Sequence, residues 1–561
     1  MRLNGRQSGR LFSAIVAPVF PPHAAVSPAI CRLVLRLSHS TRVRQRPSFF
    51  DNICRLRFIM QISNPESSLQ KAPKACKFCR SRKKKCDKAL PKCGFCARRN
   101  RPCEYWKPNI AKATHPTTAS IAEREWDSSL LDHERPQVQA VDLPTILFLD
   151  PDLLRLGQVE TLHTVPVIPQ HVLQLLGNLD EIRLTADNFF GHIHQWMPFI
   201  SKKRFYNLYM QPSFHSRPDV ALLLLALKLI TTLPLPDQPN PRTALYHTVK
   251  HFYLEVEGSF SLLVLQAGIL VALYELGHGI YPAAFLSIGQ CARYAYALGI
   301  NTSHTVLATR VLTLVEVEER RRVWWAIIIL DRFVSIGCPG RPFATADPQL
   351  DDLLPVNDAT FDLGIIGLDD FSTLSSPKTG HMSKFSLLCQ AAHLLGQVLD
   401  HISNDSASQD TAWVQLDRTL QSMLAAALDV DCPDYDQITF IYSALVALYT
   451  PYLSSSKIKE LNSNYSRRAR DVLHQIIDRI SENLVERQCF FGRDPEDVSP
   501  WGLYFAYRIC GMLIRPTEKA LHGAEVLKRL HEAFQTVSLR WNVASVYLEL
   551  LEAQKVIYLG V

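Results

Sequence analysis

No stretch of this 561-residue chain is both apolar enough and long enough to cross a bilayer. The longest apolar runs, Val220–Ile230 and Leu262–Tyr274, are interrupted by Lys228 and Gln266 and fall short of the roughly 20 residues a spanning helix needs, so no transmembrane segment is expected and no membrane partner. Catalytic signatures are missing too. There is no H-E-x-x-H, no G-x-S-x-G, no P-loop and no dinucleotide fingerprint, which argues against an enzyme. Strand-like alternation is scarce and no repeat of solenoid length recurs. Residues 107–140 hold Pro108, Pro116 and Pro136 without sustained heptads, so they read as a linker and not as a coiled-coil arm. No acid precedes Asp51, and the last residues, Ile557–Val561, carry no acidic tail.

What is present is unevenly distributed. An apolar fraction of 47% with mean hydropathy near zero marks a globular chain, and the length calls for two or more units. The net charge of +8 conceals a contrast: residues 1–60 carry +9, residues 71–107 carry +12, and residues 108–561 carry about −12. A short basic head thus accompanies a large acidic body. Residues 1–59, rich in arginine, are like a mitochondrial transit peptide in composition. Met60, however, opens a polar segment that runs straight into the cysteines. The reading therefore expects translation to begin at Met60, with 1–59 an upstream extension or a disordered basic segment and 60–75 an N-terminal arm.

Six of the fourteen cysteines fall within 28 residues, in two copies of C-x2-C-x6-C joined by six residues: Cys76, Cys79 and Cys86, then Cys93, Cys96 and Cys103. The other eight are scattered, a pattern that suits a reducing compartment with one metal site and not a disulfide scaffold. Thiolates are soft ligands and zinc favours four of them in a tetrahedron. Two zinc ions need eight ligand positions, so six cysteines suffice only if two bridge. The symmetry of the repeat selects Cys76 and Cys93. One ion then takes Cys76, Cys79, Cys86 and Cys93, and the other Cys93, Cys96, Cys103 and Cys76. With so few apolar residues nearby, the unit is expected not to fold without metal. The halves differ in charge. Arg80, Arg82, Lys83, Lys84 and Lys85 follow Cys79, a run without helix breakers expected to form one or two helical turns, whereas the second half ends in Pro102. The first half is the better DNA reader: Arg and Lys donate to guanine O6 and N7 in the major groove, and the remaining cations meet phosphates. Lys77, Arg80, Lys84, Lys85 and Lys92 are assigned to phosphate.

This array, with Pro91 two residues before the fourth cysteine, resembles the fungal binuclear zinc cluster, or Zn(2)-C6, transcription factors. The resemblance implies bridging by Cys76 and Cys93, base contacts by Arg82 and Lys83 in CGG-like triplets, and a loop turn at Pro91. Lys84 departs from the family, many members having an apolar residue there. A second resemblance, to the family's middle homology region, rests on Glu318–Trp325, Leu330-Asp331-Arg332 and Gly340-Arg341-Pro342, on Phe189–Phe205, and on Ala272–Glu275 through Gly299. Together the two cover roughly residues 76–106 and 180–400. They imply a nuclear, sequence-specific regulator of RNA polymerase II genes. Its partners would be double-stranded promoter DNA, transcription machinery or co-regulators, a second copy of the chain as a homodimer, and a small-molecule effector of the helical body. The competing reading is a zinc-dependent nucleic-acid or chromatin-binding protein without a transcriptional role.

The expected fold is mainly α: a binuclear zinc cluster at 76–106, the linker 107–140, a helical regulatory domain at 141–400 and its helical continuation at 401–561. Apolar spacing of three and four places helices at Asp219–Thr232, Ser261–Gly277, Tyr281–Leu298, Glu316–Ile336 and Lys384–Ile402. A short turn is expected at Leu147–Asp152. In the helix from Glu316, acids precede bases on one face as intrahelical pairing prefers, with Trp324 and Trp325 inward. Arg341 is expected to pair with Asp331 or Asp347. His192 and His194 are read as parts of a packed loop in preference to a metal pair.

Overall fold

The described residues fold mostly into helix, as the spacing of apolar residues requires. In the computed structural model these are 75–82, 84–89, 92–99, 101, 103–104, 141–149, 161–162, 166–234, 240–300, 312–376, 382–403, 409–429, 434–453, 463–485, 495–515 and 523–559. They fall into two units, one within residues 1–132 and one within 133–561. The segments 1–59 and 107–140 lie outside the described residues, as does all of the N-terminal arm but Ala75. The first unit holds two single-turn helices, α1 (Lys77–Ser81) and α2 (Gly94–Arg98).

In the second unit, β1 (Val141–Asp142) pairs in parallel with β2 (Thr161–Leu162), Val141 opposite Thr161, with α3 (Leu143–Leu149) between them. Residues 147–149, expected in a turn, are the last turn of α3, while 150–152 lie outside the described residues. There follow α4 (Gln170–Leu176), α5 (Leu179–Gly191), α6 (Pro218–Thr231), α7 (Ala244–Val256), α8 (Leu262–Gly277), α9 (Ala283–Ala297) and α10 (Leu314–Ser335). The chain continues through α11 (Asp358–Leu363), α12 (Lys384–Ser403), α13 (Gln409–Leu428), α14 (Tyr435–Leu453), α15 (Ser463–Val485), α16 (Trp501–Leu513), α17 (Gly523–Ser538) and α18 (Val543–Leu559). No described helix is long and apolar enough to cross a membrane.

Helices α6 and α8 are apolar on every side, which a helix tolerates only when enclosed. Pro218 starts α6, and the Ser261 hydroxyl accepts from the Val264 N–H to start α8. The two pack against each other, α9 covers α8, and α12, α14 and α16 extend the same hydrophobic core toward the carboxy terminus. Each expected helix forms within a residue or two of its anticipated ends.

Helix α10 forms the expected intrahelical pair, Glu318 with Arg322, and encloses it. A capping box fixes its start: Glu316 N–H donates to Thr313 Oγ1 and Thr313 N–H to Glu316 Oε2, at 3.3 and 2.9 Å. Its charged face is not solvated, because Glu318, Glu319 and Arg322 are all buried. Arg322 donates through Nε to Glu318 (2.9 Å), through Nη1 to the Pro198 carbonyl (3.0 Å) and Asp358 (2.9 Å), and through Nη2 to the Val356 carbonyl (2.6 Å). Its guanidinium also lies 4.1 Å from the Phe361 ring centroid. Glu319 accepts from the Ser201 N–H, from Gln266 Nε2 on α8, and from Arg204. The acids and bases thus bind two irregular segments, 198–201 and 353–357, and the helical residues Arg204 and Asp358 that follow them, to the long helix. Trp325 is buried as expected, but Trp324 is only partly so, edge-on to Tyr296.

Arg341 does not take the expected partners. Arg332, one turn beyond Ile328, pairs with both Asp331 (3.0 Å) and Asp347 (3.5 Å), and Arg341 instead lies over the Phe285 ring. Room for Arg332 comes from Gly396 of α12, where a Cβ would stand 2.6 Å from Arg332 Nε. His192 and His194 turn to different acids, Asp497 (2.7 Å) and Asp362 (2.9 Å), as a packed segment requires.

Removing one member of a buried ion pair leaves its partner charged and unsolvated, at a cost of about 3–5 kcal/mol. Arg322→Ala is therefore expected to destabilise the helical unit by about that amount, and Arg183→Ala, at the exposed Asp180 pair, by less than about 1 kcal/mol. Denaturant midpoints of the full chain compare them, and equal effects would show that the Arg322 cluster does not brace the fold.

Candidate metal centre and nucleic-acid interface

The sulfur cluster is assembled by two copies of one local backbone pattern, seventeen residues apart. Cys76 is the N-cap of α1 and its Sγ accepts from the Cys79 N–H at 3.4 Å; Cys93 caps α2 and accepts from Cys96 at the same distance. The repetition continues: Arg80 N–H donates to the Cys76 carbonyl and Ala97 to Cys93, then Lys84 to Cys79 and Arg101 to Cys96, all at 2.9–3.0 Å. Each half is one helical turn followed by a hydrogen-bonded return, which sends its third cysteine back to the first two. Asp87 joins the halves, both carboxylate oxygens accepting from the Gly94 N–H at the start of α2 (3.0 and 2.9 Å). Gly94 is needed there because a Cβ would lie 2.5 Å from Asp87 Oδ2.

The six sulfurs form two groups, Cys76, Cys79, Cys86 and Cys93, and Cys76, Cys93, Cys96 and Cys103, each with its donor atoms within 4.8 Å of one another. Cys76 and Cys93 belong to both. Closest separations are 3.6 Å between Cys79 and Cys93, 3.7 Å between Cys76 and Cys96, and 3.8 Å between Cys76 and Cys93. A tetrahedron of thiolates about 2.3 Å from zinc has edges of about 3.8 Å, so the donors fit that ion. Cys76, Cys79, Cys93 and Cys96 are fully buried, and among the described residues the hydrophobic side chains packed around them are Phe78, Phe95, Cys86 and Cys103. Burial pushes the Cys96 thiol up to about 12 and raises Cys79 as well. It also acts on Cys93, where donation from the Cys96 N–H and adjacent thiols outweighs it and leaves that thiol lowered. Bringing all six to thiolate takes a buried positive charge that no side chain here supplies, and a bound cation would provide it.

Around this centre Lys77, Arg80, Arg82, Lys84, Lys85 and Lys92 are all exposed, as a phosphate-facing surface needs. Their placement corrects the sequence reading in one respect. The helical turn is Lys77–Ser81, which takes in only Arg80 of the basic run, because the Cys76 sulfur caps at that point. Arg82 is the C-cap, and Lys84 and Lys85 follow in irregular backbone. Lys77 is held by Glu104, side chain to side chain at 3.1 Å and backbone to backbone at 2.8 Å. Lys83 and Pro91 lie outside the described residues. The Asp87 clasp escaped the sequence reading, although an acid next to the third cysteine and a glycine after the fourth were its signal.

The family model of the fungal Zn(2)-Cys(6) binuclear cluster domain matches residues 74–111, and that of the fungal specific transcription factor domain matches 186–430. The chain belongs to this family of fungal zinc-cluster transcription factors, whose cluster binds zinc. Transcription factor BOA15 of Botryotinia fuckeliana is 40% identical over 152 residues, 27% of this chain and 84% of that protein. The pigment biosynthesis transcriptional activator pigB of Monascus ruber is 26% identical over 38% of this chain, and the azaphilone cluster-specific transcription factor azaR of Aspergillus niger 24% identical over 40%. The matches span 41% and 50% of those two longer relatives.

A chelator strong enough to strip zinc is expected to abolish the structure of residues 76–104 while the helical unit keeps its helical circular dichroism. Gly94→Ala is expected to displace Asp87 and speed zinc release to a chromogenic chelator. Release at the unaltered rate would show that the Asp87–Gly94 clasp does not support the cluster.

Proposed function

We propose that this protein is a nuclear, sequence-specific regulator of RNA polymerase II genes that holds two zinc ions in the cluster Cys76, Cys79, Cys86, Cys93, Cys96 and Cys103. The observation that supports it best is the pair of four-sulfur groups sharing Cys76 and Cys93, which offers two tetrahedra from six ligands. Arg82 and Lys83 read guanine edges in CGG-like triplets, where a good bidentate contact discriminates by about 1–3 kcal/mol. Lys77, Arg80, Lys84, Lys85 and Lys92 hold the phosphates, Lys77 by exchanging its Glu104 partner. Relatives are named for different targets, pigment biosynthesis in one and an azaphilone cluster in another. The promoter is therefore set by this chain's own base-reading residues, with Lys84 a distinguishing neighbour.

The helical unit regulates that activity, with transcription machinery or co-regulators and a second copy of the chain as partners. A small-molecule effector has a seat in a cleft of about 1050 Å³ between α12 and α13, at the upper limit of ligand-site volumes, lined by Leu387, His393, Gln397, Leu416 and Met423 among others.

Site selection with the zinc-loaded full chain is expected to enrich CGG-like triplets. Arg82→Ala should flatten the preference at one triplet position by about 1–3 kcal/mol. Lys92→Ala should weaken all sequences evenly and reduce the salt slope by about 1. Cys86→Ala should lose metal and binding together. Full zinc content and intact site binding in Cys86→Ala would overturn the ligand scheme, and selection without guanine-rich triplets would overturn the base-reading roles.

A further inference from the structure

We propose a second zinc site, built from imidazoles, on the surface of the helical unit between α4 and α7. His247, His251 and Glu255 follow one another at four-residue intervals along α7, so they share one face. His171 of α4 faces the same cleft, of about 300 Å³, whose wall is completed by Thr248 and Phe252. All four of these candidate ligands are exposed, and none has a hydrogen bond or ion pair among the described residues. Imidazoles without hydrogen bonds and a carboxylate lining one cleft have the composition of a zinc site, in which nitrogen ligands sit at about 2.0–2.1 Å. Two histidines four apart on a helix are a competent chelating pair on their own, since their Cβ atoms stand about 5–6 Å apart.

Among the described residues only the cysteine groups already have three or more donors within 4.8 Å of one another. The histidine rings must rotate to meet an ion: His171 and His251 are exposed, and His247 would give up its edge-on contact with the Tyr246 ring at 5.4 Å. His247 and His251 form the chelating pair, His171 reaches across from α4, and Glu255 supplies the carboxylate. Helices α4 and α7 both pack on α6, so an ion held from both would fasten the short helix α4 to the body.

The test is zinc content and cobalt spectroscopy of the full chain. After equilibration with excess Zn²⁺ and gel filtration, the wild type is expected to carry one zinc per chain more than His247→Ala/His251→Ala. The extra ion should persist in Cys86→Ala, which separates this site from the cluster. Replaced by Co²⁺, it should show weak d–d bands without thiolate charge-transfer absorption. Circular dichroism checks that the double variant, altered only at exposed positions, retains its helices; if it does not, His171→Ala, which leaves α7 intact, is read the same way and is expected to lower occupancy of the extra ion. Equal zinc in wild type and folded variant, or a thiolate band from the extra ion, would overturn the proposal.

Discussion

Six sulfurs crowded into one small unit do not hold themselves together. Four of them are fully buried, and a buried anion without a counter-charge is costly enough that a thiol stays protonated instead. The unit has too little apolar surface to offset that cost, since among the described residues Phe78 and Phe95 are the only large hydrophobic side chains packed on the cluster. Metal–thiolate bonding is therefore both the function of the sulfurs and the reason the unit has a structure. Everything on its surface depends on it: the cations are presented by a backbone whose turns are set by Cys76 and Cys93 acting as helix caps.

The helical unit solves a different problem with different chemistry. Its core of apolar helices would close without help, yet 198–201 and 353–357 are irregular and must satisfy backbone groups away from water. Arg322 and the acids beside it do so, bonding the Pro198 and Val356 carbonyls and the Ser201 and Val356 N–H groups. Arginine suits this position because its planar fork serves several acceptors at once. The charge is enclosed because it is a connector, and it is matched almost group for group.

What could be read beforehand follows from how local each signal is. The two sulfur groups were legible because ligand number and spacing constrain a metal site wherever the chain goes. The helices were legible from periodicity, which reports burial of one face. The Glu318–Arg322 pair was legible from its spacing, but its burial was not, because an acid followed by a base at helical spacing has the same pattern on a solvated surface and in a core. What separates the cases is the pair of loops that cover it, more than thirty residues on or over a hundred back. Arg341 was misjudged for a similar reason: Arg332 reaches Asp331 and Asp347 first because Gly396, on another helix, leaves room for it.

The helix placement in the cluster carries a consequence for recognition. A cation on a free helical turn would have to be ordered on binding, at an entropic cost that reduces affinity. Here Arg82 sits at the end of α1 with its N–H bonded to the Phe78 carbonyl, and Lys84 is tied to Cys79 by its own backbone N–H. Metal-bound cysteines at 79 and 86 would bracket the basic run, so its backbone is restrained at both ends while its side chains remain in water. Positive charge is thus concentrated without being buried. The body, with about −12 over residues 108–561, has no comparable surplus of positive charge.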